Sequence, residues 1–219
     1  MTRADRSRCI TRRRQPVQSR RISPLVIGGV AAVVIVAVVA ALVVAGSAGP
    51  GIAQPAAPVT VSGEPLPALS DPAADPAVGR PVPTLSGTGL DGRPIEIGAG
   101  DGPMAIVVLA HWCSHCQAEL PAIVRLIEQG GVPDGVSIVG LSTAIDPVRP
   151  NYPPSAWFER EGWAQPTLID DASSRALAAL GLGSFPGFVF VDGQGVVVQR
   201  LTAEIGAERL GELLESIAP

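Results

Sequence analysis

Lysine is absent from this 219-residue chain, and all 16 of its basic residues are arginine. Any mechanism that needs a lysine is therefore excluded. Histidine occurs only at His111 and His115, and cysteine only at Cys9, Cys113 and Cys116. Charge is also missing from one long stretch, Leu25 to Ala45. No cysteine directly follows that stretch, so nothing supports a lipoprotein anchor. What the chain has in quantity is glycine and proline, 25 and 22 residues. Its length fits one ordinary domain with extra segments.

The uncharged stretch separates two regions of opposite sign. Residues 1–24 carry eight arginines against Asp5, a net of +7, whereas residues 46–219 carry eight arginines against 19 acids, a net of −11. The 21 residues between them are nearly all Val, Ala, Ile or Leu. As a helix they span ~31 Å, about the hydrocarbon thickness of a bilayer. A soluble core helix has a polar face, and this run has none. Arginines crowd one flank only, which predicts a cytoplasmic N-terminal tail, one transmembrane helix over 25–45, and everything beyond it outside. Ala45-Gly46-Ser47-Ala48 offers a cleavage region, but 21 apolar residues exceed the ~7–15 of a signal core. The arginine tail directly before such a span reads as a topology signal, with no nucleic-acid partner implied.

Residues 46–78 are rich in Pro, Ala and Gly with few large apolar side chains, which predicts a disordered linker reaching on the order of 100 Å. Residues 79–219 read as one α/β domain. Pro83 to Leu90 and Arg93 to Ile97 predict a hairpin about Asp91-Gly92. Met104 to Ala110 is a continuous apolar run, as in a strand buried on both faces. A helix over 114–129 follows from Leu120, Ile123, Val124 and Ile127 at i, i+3, i+4, i+7, ended by Gly130-Gly131. Val136 to Leu141 predicts a second buried strand. After a proline-rich segment come a short helix around Trp157, a brief strand over 167–170 and a helix over 173–180. A hairpin of 188–191 with 196–201 and a last helix over 207–217 complete the pattern. It implies a central mixed sheet with helices on both faces.

The chemistry-bearing segment is His111-Trp112-Cys113-Ser114-His115-Cys116, where a buried strand gives way to a helix. Cysteines at i and i+3 share one helix face and lie within reach of a disulfide. Free N–H groups and the helix dipole at that terminus favour an anion, and thiolate is the attacking species in disulfide exchange. Cys9 falls on the cytoplasmic side, so Cys113 and Cys116 are each other's only partners outside. A purely structural bridge across two residues closes a tiny loop and adds little stability. A metal site is the other alternative, since both histidines flank the pair. Four ligands within six residues strain a tetrahedral array, and no metal ligand is assigned.

Trp112-Cys113-Ser114-His115-Cys116, with Glu119 and Pro121 after it, resembles the W-C-x-x-C-x-x-E-x-P signature of the ResA/TlpA branch of thioredoxin-like proteins. The resemblance covers about residues 79–219 and includes the Phe185-Pro186-Gly187 turn. It implies a thioredoxin-like α/β fold with an N-terminal β-hairpin extension, preceded by a single transmembrane helix and linker. It also implies that Cys113 is the nucleophile and Cys116 the resolving thiol. Pro186 corresponds to a cis-proline facing the pair, with the preceding backbone placed to meet substrate. Glu119 is the nearest carboxylate for moving protons at Cys116, because Val107 stands where cytoplasmic thioredoxins carry a buried Asp. No cofactor is implied beyond the redox-active Cys113–Cys116 pair.

Three residues tune this expectation. With Trp112 they are Phe185 and His115; Phe185 stands where the family has a smaller residue, which alters the substrate groove. His115 favours the Cys113 thiolate when protonated and so pushes the pair toward an oxidant. The family resemblance implies a reductase, often one serving cytochrome c maturation, and the two expectations oppose each other. The expected partners are protein thiols and disulfides outside the membrane and a membrane electron donor or acceptor. Disulfide formation in exported proteins, and copper or zinc carriage through the HxCxHC segment, are the alternative functions. His111 has no sequence-level explanation.

Overall fold

The computed structural model describes residues 56–219. The arginine tail (1–24), the apolar run (25–45), Cys9 and residues 46–55 of the linker tract lie outside the described residues. Among the described residues no helix is long and apolar enough to cross a membrane. The elements run β1 (Thr60–Ser62), β2 (Thr84–Gly89), β3 (Pro94–Ile97), β4 (Met104–Leu109), α1 (Ser114–Glu128), β5 (Ser137–Ser142), α2 (Pro154–Arg160), β6 (Thr167–Ile169), α3 (Arg175–Ala179), β7 (Gly187–Val191), β8 (Val197–Leu201) and α4 (Gly206–Glu215).

All six residues of β4 are buried, as its unbroken apolar sequence requires. It pairs in parallel with β5 and antiparallel with β7, at the centre of a mixed sheet ordered β1-β2-β6-β5-β4-β7-β8, with β3 on β2. Side chains alternate along β4. Met104, Ile106 and Val108 enter one core with Val189 and Val191 of β7 and Ala176, Leu177 and Ala179 of α3. Ala105, Val107 and Leu109 enter the other with Phe188, Phe190 and residues of α1, α2 and α4. Each buried Val, Leu, Ile, Phe or Met among them contributes roughly 1.5–3 kcal/mol relative to exposure.

α1 buries Leu120, Ile123 and Val124, three of the four residues whose spacing predicts it. It runs through Pro121 as one helix and stops where Gly130 takes φ +72°. There the Gly131 N–H reaches the Leu126 carbonyl at 2.9 Å and the Gly130 N–H the Ile127 carbonyl at 3.0 Å. This is the Schellman closure, which glycine adopts without a Cβ penalty. α4 buries Leu210, Leu213 and Leu214, with Ile217 just beyond it. α3 is shorter than the predicted 173–180, because Asp170 draws the N–H groups of Ala176 and Leu177 onto its carboxylate and fixes the helix start.

One expectation is corrected. Residues 56–78, part of the predicted linker, belong to the folded domain. β1 pairs antiparallel with β2, and Val59, Leu66 and Ala77 are buried in the first core. The Leu66 and Leu69 N–H groups donate to the carbonyls of Ala179 and Gly181 at 2.9 and 2.8 Å. This close approach requires glycine at 181, where a Cβ would stand 2.3 Å from the Pro67 carbonyl oxygen. Asp75 forms a bidentate ion pair with Arg200 of β8, their side chains only 1% and 0% exposed. Composition misses this strap because Val59, Leu66 and Ala77, a small share of the tract, make the contact with the core. Its buried ion pair involves two residues 125 apart in the chain.

Candidate active site

β4 ends inside the sheet and the chain turns through Ala110–Trp112 into α1, with Cys113 as the N-cap residue. The Cys113 side chain makes no cap hydrogen bond, so its sulfur is left free at the helix N-terminus. Cys113 and Cys116 are both free thiols. They differ in access: Cys113 keeps 8% of its surface and Cys116 none. The Cys113 thiol points to the Phe185 carbonyl at 3.7 Å, and the Phe185–Pro186 peptide bond is cis. Cys116 accepts from the Ala110 N–H at 3.4 Å. Burial pushes the Cys116 thiol far up, more than that hydrogen bond brings it down, and the neighbouring Cys113 raises it further.

Glu119 sits one turn beyond Cys116 and is 2% exposed. Burial raises its carboxyl above the ordinary value of 4.5, opposed by N–H groups of Gly206 and Ile205, and the Glu204 charge adds to the rise. The Gly206 N–H donates to both carboxylate oxygens, at 3.0 and 3.3 Å. Val107 shares the apolar cluster of Cys113 and Cys116, so no acid on β4 competes for this role.

Trp112 roofs the site. Its indole N–H donates to the Ala144 carbonyl at 2.7 Å, Phe185 meets it edge-on at 5.5 Å, and the Arg149 guanidinium lies 4.9 Å from its ring centre. His111 is fully buried. Its Nδ1 lies 2.7 Å from the Pro150 carbonyl and its Nε2 accepts from the Asp146 N–H at 3.3 Å. Those partners assign the neutral tautomer with the proton on Nδ1. Burial pulls its pKa below 6.5, in the same sense. The His111 carbonyl takes further bonds from Gln117 and Asn151. His111 therefore clamps the 146–151 loop beside Trp112, which answers the question its sequence position leaves open.

His115 projects from the first turn of α1 and pairs through Nδ1 with Glu204, on the loop between β8 and α4. Both nitrogens of His111 are occupied by the 146–150 loop, so the two histidines do not gather with the cysteines as a ligand set. Among the described residues no group of three or more His, Cys, Asp or Glu is arranged to hold a metal ion. The fold brings together every predicted site residue: Trp112, Cys113, His115, Cys116, Glu119, Phe185 and Pro186. It adds Glu204, Arg149 and the Gly206 amide, which sequence reasoning missed because each lies tens of residues from its partner in the chain.

A family model described as Redoxin matches residues 63–210. The chain belongs to the Redoxin family. The chain is 25% identical over 143 residues to the thiol-disulfide oxidoreductase ResA of Bacillus thuringiensis (strain Al Hakam) and to that of Bacillus anthracis. Each alignment covers 65% of this chain and 79% of the relative. Among solved structures, a DsbF homologue from Corynebacterium diphtheriae superposes with a TM-score of 0.56 at 18% identity, over 69% of this chain and 99% of that one. A thioredoxin-family thiol:disulfide interchange protein from Chlorobium tepidum superposes with a TM-score of 0.54 at 21% identity, over 66% and 99%. These two similarities establish the thioredoxin-like fold. The ResA/TlpA-like reading of the motif stands, and this Redoxin-family chain is a thiol–disulfide oxidoreductase.

Proposed function

We propose that the protein reduces disulfides in client proteins outside the cytoplasmic membrane, held to the bilayer by residues 25–45. One observation carries the assignment of roles: Cys113 lies at a helix N-terminus against the Phe185 carbonyl and keeps 8% of its surface, whereas Cys116 beneath it keeps none. Cys113 attacks as the thiolate, forms a mixed disulfide and expels one client thiolate, which takes a proton. Glu119, on the same helix face, accepts the proton of Cys116. Cys116 then attacks Cys113 Sγ and releases the second client thiolate. Two electrons pass to the client and the enzyme is left as the Cys113–Cys116 disulfide, which a membrane electron donor re-reduces. No further cofactor is needed.

The buried Cys116 supports the reductive direction. A strong oxidant is one whose reduced form is stabilised, and burial penalises the thiolate here. A reduction potential near about −270 mV fits this reading, and one near about −120 mV indicates disulfide formation instead. Reduction of clients for cytochrome c maturation lies within the same chemistry. The apolar run with arginines on one flank supports the placement outside the membrane.

Cys116→Ser tests the proposal. It stops the second attack and accumulates mixed disulfides on Cys113 that mass spectrometry identifies. Adducts on Cys9, or none, would refute the assigned order. Glu119→Gln slows the resolving step by about 10²-fold, the low end for a positioned proton acceptor, in stopped-flow turnover. Because its folded pKa is raised, Glu119 contributes stability that is full below the unfolded value of 4.5 and is lost as pH rises through the folded value. Glu119→Gln therefore keeps or raises thermal stability at neutral pH. A loss of stability with unchanged turnover would contradict the role.

A further inference from the structure

The end of the β8–α4 loop and the first residue of α4 each touch the redox pair's surroundings. Glu204 meets the imidazole of His115, the residue set between the two cysteines. Two residues on, the Gly206 N–H holds the carboxylate of Glu119. The His115 and Glu204 side chains are 72% and 42% exposed, so the pair sits at the rim of the site. The contact occupies His115 Nδ1, and the Cys113 thiol points instead to the Phe185 carbonyl.

We infer that Glu204 is a positioning residue that holds the Cys113–Cys116 pair reducing, by pairing with the imidazole of His115, the side chain set between the two cysteines. This rests on the reductive reading of the site and supplies the element that the C-x-H-C spacing lacks. A lone imidazolium between two cysteines stabilises the thiolate and with it the dithiol form. A carboxylate bonded to the protonated ring returns the local charge to zero. It also keeps the ring at the α4 side of the site, away from a direct hydrogen bond to sulfur. Glu204 adds negative field at Glu119 as well, which favours the protonated acid. Neutralising the imidazolium makes the Cys113 thiolate less stable and the disulfide relatively more so.

The test equilibrates the full chain and its Glu204→Gln, His115→Gln and double variants with glutathione buffers, and reads the dithiol fraction. Glu204→Gln shifts the equilibrium three- to tenfold toward the dithiol, ~15–30 mV, and speeds alkylation of Cys113 at neutral pH. In the His115→Gln background the same change moves the equilibrium less than about twofold, because an untethered surface carboxylate is screened by solvent. High salt shrinks the single-variant shift for the same reason. An unchanged or more reducing Glu204→Gln protein, or the same shift with and without His115, overturns the inference. A purely structural role for Glu204 would lower the melting temperature and leave the equilibrium in place. The wild-type potential reports the direction of the reaction, and the difference between wild type and variant reports Glu204, so either can fail alone.

Discussion

Replacing Cys113 with serine lowers turnover of a protein disulfide by at least about 10³-fold, as loss of a sole nucleophile does. Cys116 cannot substitute, because it has no exposed surface and burial holds its thiol protonated. The fold survives the change. Cys113 is the N-cap residue of α1 and its side chain makes no cap bond, whereas serine is a preferred N-cap. The variant therefore melts at or slightly above the wild-type temperature while its activity disappears. Insulin reduction followed by turbidity, beside a thermal melt, separates the two readouts. Retained turnover would remove Cys113 from its place in the reaction.

Asp75→Ala destabilises the domain by about 3–5 kcal/mol, the usual cost of leaving one member of a buried ion pair uncompensated. The stranded partner is Arg200, 0% exposed, which keeps only the Leu180 carbonyl at 2.6 Å. For a domain of this size the melting temperature falls by about 6–20 °C. Replacing both residues with apolar side chains of similar volume costs far less, since the penalty comes from the unpaired charge. Burial works against the Asp75 carboxylate, but hydrogen bonds from Arg200 and the Ala77 N–H hold its pKa below 3.8. The stability this supplies is complete above 3.8 and is lost as pH falls through the lower folded value. A melting temperature within 2–3 °C of wild type would mean that residues 56–78 behave as the linker their composition suggests.

The sheet and helices were legible because periodicity is a local signal. The all-apolar run of β4, the spacing of Leu120, Ile123 and Val124 in α1, and that of Leu210, Leu213 and Leu214 in α4 each place an element within a residue or two. The redox pair was legible for the same reason, since Cys113 and Cys116 sit in one turn at a strand–helix junction. Long-range partners were not. Nothing near His115 announces Glu204, and nothing near His111 announces Asp146 and Pro150. The strap at 56–78 was misread because a Pro- and Ala-rich tract is ordinarily too apolar-poor to fold. Here it borrows a core that the sheet and α3 have already built.

A redox titration with peptide mapping tests the central claim most directly. Poised in oxidising glutathione buffer, the protein should lose two hydrogens and yield one cross-linked peptide joining Cys113 to Cys116. Reducing buffer should restore both thiols in a single two-electron step, with a midpoint nearer about −270 mV than −120 mV. Two cysteines that remain unlinked thiols across the whole range, or a Cys113 that pairs only with Cys9, would contradict the account.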